Sequence, residues 1–472
     1  MACESSEASS HAVGDVQDRS AKPILMKKAP LIIHSLPPEL LQEIFTFSAT
    51  YDLPERRPFM DSIPQFNMTS LNISHVCMRW RSLALATPEM WTWMEIQHPN
   101  ERCLELVRYY LLLAGKTQGL HLSFVERRYA HHCGSEGSPP EQQWTLEIFK
   151  LWISQADRWR SIHFELGETR EIKDMIDLPV VSNSLKRVTS VYFQASWSDS
   201  TTQPFLDALY TSPALREVSW VYRGPPRNAH FAGLNSVTVL HHKLSWTKFF
   251  SLLEACKELK YIEATLAART QAEATSVTRV VTASALETLR LPSSSLEVKS
   301  GIFLDYIRAP NLRESQLVAS RSDSGALRRF LDQSGCRLRK LLIEGDFHLQ
   351  LEKDVLEFLL QAAAHLTSLE VYLMESSQLS SLTISAFSPQ TTDGTGVYIP
   401  FPSLVRLSLQ FIGSTLDGTV GNMLSSRAQH GALPWDFAAE FASEPQPRDK
   451  QIVSQLNEDA KLKGLDTVLS LC

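Results

Sequence analysis

No C-x-x-C pair occurs in this chain, whose seven cysteines stand at positions 3, 77, 103, 133, 256, 336 and 472. A zinc-held ligase module of the RING kind needs paired C-x-x-C and histidine ligands, so that class is excluded, and no disulfide framework is expected. G-x-S-x-G, G-x-x-x-x-G-K-S/T and G-x-G-x-x-G are also missing. Their absence removes the common nucleophile elbow, phosphate cradle and dinucleotide turn. No uninterrupted apolar run is long enough to span a bilayer, and the first residues carry neither a basic n-region nor an apolar h-region, so cytoplasm and/or nucleus is the expected compartment. Positive charge is not in excess either. A formal net charge of -6 gives no electrostatic reason to approach nucleic acid or an acidic membrane, and neither is expected as a partner. His131-His132-Cys133 is an isolated cluster in a Gly/Ser-rich loop and reads as surface, as does His241-His242. Carboxylates are dispersed over helices and turns, where a solvated face explains them. No catalytic residue, metal or cofactor is expected, and the chain reads as a non-enzyme.

What is present is a 472-residue chain, 43% hydrophobic and 21% charged, long enough for two or more cores or one elongated repeat domain. Residues 1–28 are rich in Ser, Ala, Asp and Glu and read as a disordered tail. A helical module follows over 29–97. Pro37 and Pro38 preset a helical φ where an N–H would go unsatisfied, and Glu39 meets the positive end of the helix. Leu40, Leu41, Ile44, Phe45 and Phe47 fall on one broad stripe, and Ile73, Val76, Cys77, Trp80 and Leu83 repeat the pattern in a second helix. A third helical piece is expected from Thr87-Pro88-Glu89, carrying Met90, Trp91, Trp93, Met94 and Ile96. So much apolar surface on so few residues predicts docking onto another protein. An ordinary helical cap is the bland alternative.

Leu36-Pro37-Pro38-Glu39-Leu40, Ile44-Phe45, Val76-Cys77 with Trp80-Arg81, and Trp91 resemble the F-box family over about a tenth of the chain. The resemblance implies binding to the Skp-type linker subunit, and through it a cullin, by Leu36, Pro37, Pro38, Leu40, Ile44, Phe45, Val76, Cys77 and Trp80. An insertion at 51–70, with Pro54, Pro58 and Pro64, departs from the compact F-box pattern and resembles those of F-box-like proteins of mushroom-forming fungi.

Beyond the module, L-x-x-L-x-L, where L is any large apolar residue, recurs about ten times. Copies begin at Trp159, Val188, Leu215, Leu234, Leu259, Leu286, Leu338, Leu366 and Leu404, with a degraded copy at Leu312 and a partial one at Gly119. Most lie about 26 residues apart, near the leucine-rich-repeat range of about 20 to 29. Helical segments at 144–152, 204–209, 246–253, 326–331 and 355–360 separate them. The expected fold class is therefore α/β: an N-terminal helical F-box, then a leucine-rich-repeat-like α/β solenoid over 98–426. A generic α/β solenoid stays open, because the consensus Asn after each strand is missing. Long loops are expected at 126–143 and 376–400, and a weakly ordered cap at 427–472 with a loose helix near 453–471.

Strand residues between the inward positions would form the binding face. The candidates for contacting a protein substrate are His163, Tyr192, Glu217, Tyr261, Glu263, Arg290, Lys340, Glu370, Tyr372 and Arg406, a polar, aromatic and faintly acidic set without a cationic stripe. The expected function is substrate-recognition adaptor of a Skp-cullin-F-box ubiquitin ligase. The alternative is a non-catalytic repeat scaffold that binds the linker without ubiquitin transfer.

Overall fold

A computed structural model describes residues 32–51, 68–97, 99–125, 139–166, 170–176, 179–195, 203–221, 231, 233–267, 279–292, 303–319, 326–345, 355–356, 359–360, 365–373, 379–392, 396–412, 417–434, 436–441, 445–463 and 468–471. The expected tail at 1–28, most of the insertion at 51–70, and His131-His132-Cys133 lie outside the described residues.

Three helices come first: α1 (Pro38–Tyr51), α2 (Thr69–Ser74) and α3 (Met78–Leu85). The single second helix expected from the sequence is thus two. Cys77 breaks it: its backbone is extended (φ -160, ψ 170) and its sulfur accepts the Trp80 N–H as the N-cap of α3. Nor is the third piece one long helix. Only Pro88–Trp91 is helical, a 3-10 turn, and Trp93–Gln97 is strand β1. The reason is period two: Met94 and Ile96 are buried while Trp93, Glu95 and Gln97 alternate outward.

Strands and helices follow one another along the rest of the described chain. In order they are α4 (Glu101–Leu113), β2 (Leu120–Val125), α5 (Pro139–Ile153), β3 (Trp159–Leu166), α6 (Arg170–Ile176), α7 (Pro179–Ser184), β4 (Ser190–Ala195), α8 (Gln203–Tyr210), β5 (Glu217–Val221), β6 (Ser236–Leu244), α9 (Trp246–Ala255) and β7 (Tyr261–Leu266). Then come β8 (Val281–Thr282), β9 (Thr288–Arg290), β10 (Ile307–Arg308), β11 (Glu314–Ala319), α10 (Ala326–Ser334), β12 (Lys340–Gly345), β13 (Ser368–Leu373), α11 (Ser381–Phe387), β14 (Gln390–Thr392) and β15 (Gly396–Tyr398). The last are β16 (Arg406–Ile412), α12 (Thr419–Gln429), β17 (Asp436–Phe441), α13 (Pro447–Leu462) and β18 (Val468–Leu471).

Fourteen strands form one sheet in chain order, β1 to β7, then β9, β11, β12, β13, β16, β17 and β18, and each neighbouring pair is parallel. The fold is mixed α/β. Every copy of the apolar pattern coincides with a strand of this sheet. β8 and β10 make a separate parallel pair, and β14–β15 an antiparallel hairpin.

Inward side chains pack on the helices. Phe149 and Trp152 of α5 meet Phe124 and Phe164 at ring distances of 4.9 to 6.1 Å, and Phe249 of α9 meets Phe303 at 5.0 Å. Each such fully buried side chain contributes about 1.5–3 kcal/mol. Ser315, inward on β11, is the polar exception and accounts for the degraded copy.

Two expectations about loops and ends need correction. The stretch 376–400 contains α11 and the β14–β15 hairpin. Residues 427–472 continue the sheet through β17 and β18, and the last helix is Pro447–Leu462, so Val468–Leu471 is strand rather than helix. Short Ala-rich β17 lacks the leucines that marked earlier copies, yet Phe437, Ala439 and Leu469 still fall inward. Asn457 on α13 donates to Leu469 O at 2.9 Å and accepts the Leu469 N–H at 3.1 Å, satisfying backbone groups of the terminal strand.

Arg427 ties this end together. Fully buried on α12, it donates to the carbonyls of Phe387, Pro400, Phe401 and Ala432 at 2.7 to 3.0 Å. Burial lowers its guanidinium to about 10, so it stays charged at neutral pH. Phe401 has φ 53, a left-handed conformation that one of these bonds holds in place. Arg427→Leu should therefore destabilise the chain by about 3–5 kcal/mol, measured by urea denaturation, because buried acceptors lose their donor.

Candidate functional site

Two surfaces carry the residues singled out in the sequence. The first is the helical N-terminal region. An α-helix advances about 100° per residue, so α1 has two apolar stripes rather than one. Leu41, Phe45 and Ala49 turn inward and are buried, whereas Leu40, Ile44 and Phe47 turn outward and are 46%, 44% and 60% exposed. The inward stripe is closed by α3 and the 3-10 turn: Phe45 packs on Trp80 with ring centroids 4.7 Å apart, and Trp91 donates its indole N–H to Ala84 O at 2.8 Å. Trp91 also meets Tyr110 of α4 edge-on at 5.1 Å, which seats the helices on the first turn of the α/β region.

Arg79 donates to Leu36 O at 2.6 Å, so the start of α3 lies beside the start of α1. Val76 and Met78, 57% and 74% exposed, sit at that start of α3. Of the nine residues assigned to linker binding, Leu40, Ile44 and Val76 are exposed apolar groups, Pro37 and Pro38 are exposed, and Leu36 and Cys77 are half-buried. Phe45 is a correction: at 1% exposure it belongs to the core and cannot be a contact residue. Trp80 is half-buried against it, and its Nε1 has no acceptor among the described residues. Sequence reading missed Met78. Phe47 was seen but not assigned to the outward face, although its offset of three from Ile44 was the available signal.

The second surface is the polar side of the sheet. In parallel register the outward side chains form rows, one passing through Glu217, Ser236, Tyr261, Thr288, Glu314, Lys340, Ser368 and Arg406. The next passes through His163, Tyr192, Ser219, Thr238, Glu263, Arg290, Gln316, Leu342 and Glu370. Strands stand about 4.8 Å apart, so the candidates span about 40 Å and do not converge on one pocket. They gather instead into three groups. His163 stacks on Tyr192 at 4.0 Å with its Nε2 3.3 Å from Glu165. Tyr261 donates to Glu263, with Arg290 3.9 Å from that carboxylate and above the Tyr261 ring. Tyr372 donates to Glu370 at 3.0 Å, and Arg406 bridges Glu370 and Asp436 at 3.5 and 3.3 Å. Glu217 and Lys340 stand apart from these groups; Lys340 pairs with Glu314 at 2.8 Å.

Basic residues gather not on the face itself but at the entrances to its strands. The residue just before each strand continues the backbone ladder: Arg216, Asn235, Lys260, Glu287, Arg313, Arg339 and Thr367 each donate N–H to the preceding rung. Arg216, Lys260, Arg313 and Arg339 are exposed there. A cleft of about 360 Å³ opens at this rim, lined by Glu287, Thr288, Arg313, Glu314, Arg339, Lys340 and Thr367. The signal was in the repeat: the residue after the leading leucine is basic in Leu215-Arg216, Leu259-Lys260, Leu312-Arg313 and Leu338-Arg339.

Among the described residues no group of three His, Cys, Asp or Glu is placed to hold a metal ion, and no helix is long and apolar enough to cross a membrane. His121 stacks on Trp93 at 3.9 Å. Burial, reinforced by the Arg160 cation, lowers its pKa from 6.5 to about 4. The unfolded chain therefore binds the proton first, and stability contributed by neutral His121 is present above pH 6.5 and lost as pH falls toward 4. His121→Phe should flatten that part of the stability-versus-pH curve, checked by urea denaturation from pH 7 to 4.

No protein-family model and no curated protein matches the chain. Among solved structures, it is similar to a chain of the crystal structure of the Rad7 and Elc1 complex in yeast, with a TM-score of 0.34 and 11% sequence identity, over 86% of this chain and 88% of that chain.

Proposed function

We propose that this protein is a substrate-recognition adaptor of a Skp-cullin-F-box ubiquitin ligase, in which α1 to α3 act as an F-box-like module and the parallel sheet as a leucine-rich-repeat-like solenoid. The observation that carries the reading is the outward apolar stripe of Leu40, Ile44 and Phe47 beside Val76 and Met78. Exposed apolar side chains gathered on two neighbouring helices suit an interaction site. The buried side of α1 is made by Leu41, Phe45 and Ala49 instead. Covering the half of each outward side chain that is still exposed gives about 1 kcal/mol apiece, against the cost of association, so several must be covered together for a stable linker contact. Strands that follow chain order, with a helix or turn between successive strands, support the repeat reading.

The adaptor makes and breaks no bond. Its work is to hold a target on the polar sheet face while the helices hold the linker, so that ubiquitin transfer to a target lysine becomes nearly intramolecular. A face whose strands alternate buried and outward side chains, and on which aromatic and charged side chains stand in rows, suits a protein target.

The test is binding to a purified Skp-type linker by calorimetry. Wild type should bind, and Ile44→Glu with Val76→Glu should weaken binding by at least about a hundredfold while the far-UV circular dichroism is retained. A folded wild-type chain that binds no Skp-type linker overturns the adaptor reading. Linker binding without any change in target half-life in the double variant would instead support a scaffold.

A further inference from the structure

We infer that the basic rim at the strand entrances, centred on the cleft between β9 and β13, docks an extended acidic peptide segment of a partner protein. The inference rests on the adaptor reading only in taking the sheet as the target-holding part. Its own footing is the placement of charge. Arg313 and Lys340 keep more than half of their side-chain surface in water while pairing with Glu287 and Glu314 at 3.7 and 2.8 Å. Arg339 lies between them with no carboxylate partner among the described residues, and Lys260 is likewise unpaired farther along the rim. The cleft thus holds a cation in excess, three basic residues against two glutamates, with Thr288 and Thr367 also lining it. A carboxylate entering it meets Arg339 without displacing either existing pair.

The dimensions fit an extended chain. From Arg216 to Arg339 the ladder crosses five strand spacings, about 24 Å, the length of about seven extended residues. Nucleic acid fits worse. Glu217, Glu287 and Glu314 interrupt the cations and would repel a continuous phosphate backbone, and none of the cleft-lining residues is an aromatic on which a base could stack. A peptide can place acidic side chains at the cations and neutral ones opposite the glutamates.

The experiment uses the full chain and a fluorescein-labelled decapeptide of alternating Glu and Ser, read by anisotropy, with a ten-residue oligothymidylate and a Lys/Ser decapeptide as comparisons. Wild type should bind the acidic peptide, with affinity falling about tenfold between 50 and 200 mM salt. Arg313→Glu, Arg339→Glu and Lys340→Glu together should lower that affinity at least tenfold. The matched exposed set Arg102→Glu, Lys116→Glu and Lys461→Glu should leave it unchanged. Equal loss in both sets, no loss in the rim set, no binding by wild type, or tighter binding of the oligonucleotide overturns the inference. Linker binding is measured in the same samples: its failure with the rim effect intact counts against the adaptor reading alone, and the reverse result against the rim alone.

Discussion

The stacked column of inward apolar side chains across the sheet is the contact on which everything else depends. Ile162, Val191, Val218, Val237, Ile262, Leu289, Leu341, Leu369 and Leu407 occupy one register row on successive strands, each covering the edge of the last. No strand could bury its own side chain alone. The row holds only because the register is kept, and a one-residue slip would turn every polar side chain into the core. Ser315 shows how much deviation the column tolerates: one small buried hydroxyl, flanked by Leu289 and Leu341.

One-sidedness follows from that column. Parallel sheets covered on both faces have strands that are apolar throughout, whereas these alternate buried and outward residues along most of the described strands. The helices need cover only one side, and the other keeps its side chains in rows about 4.8 Å apart. The same repetition that packs the core therefore displays charge and aromatic groups with the same period. The basic rim is a by-product of this: the lysine or arginine that follows the leading leucine in four of the copies is brought to one edge once the leucines are stacked.

At the N-terminal end the same logic operates on a helix. One stripe of α1 closes against α3 and Trp91, and Trp91 in turn meets α4, so the helices are continuous with the sheet's core. The second stripe, Leu40, Ile44 and Phe47, keeps about half of its surface exposed. At the other end Arg427 and Asn457 satisfy backbone groups that repetition alone would leave open. Both ends depart from the repeat because an end has only one neighbour.

The amino-acid sequence by itself determined the local periods: the two-residue alternation that made each apolar copy a strand, the helical spacing of the segments between, and the proline-led start of α1. Those are properties of neighbouring residues, so they are readable one segment at a time. It could group Leu40, Ile44 and Phe47 apart from Leu41, Phe45 and Ala49 by helical spacing but could not say which group is buried, because both are apolar and only the packing of Trp80 on Phe45 decides it. β17 and β18 escaped notice for a related reason: alanines and a four-residue strand are too weak a pattern until β16 presents an edge to pair with. The basic residues of the rim recur in the sequence, but their assembly into a rim, the three groups on the polar face and the cleft were decided by tertiary structure, since residues about 26 positions apart in the chain become neighbours only when parallel strands stack in register.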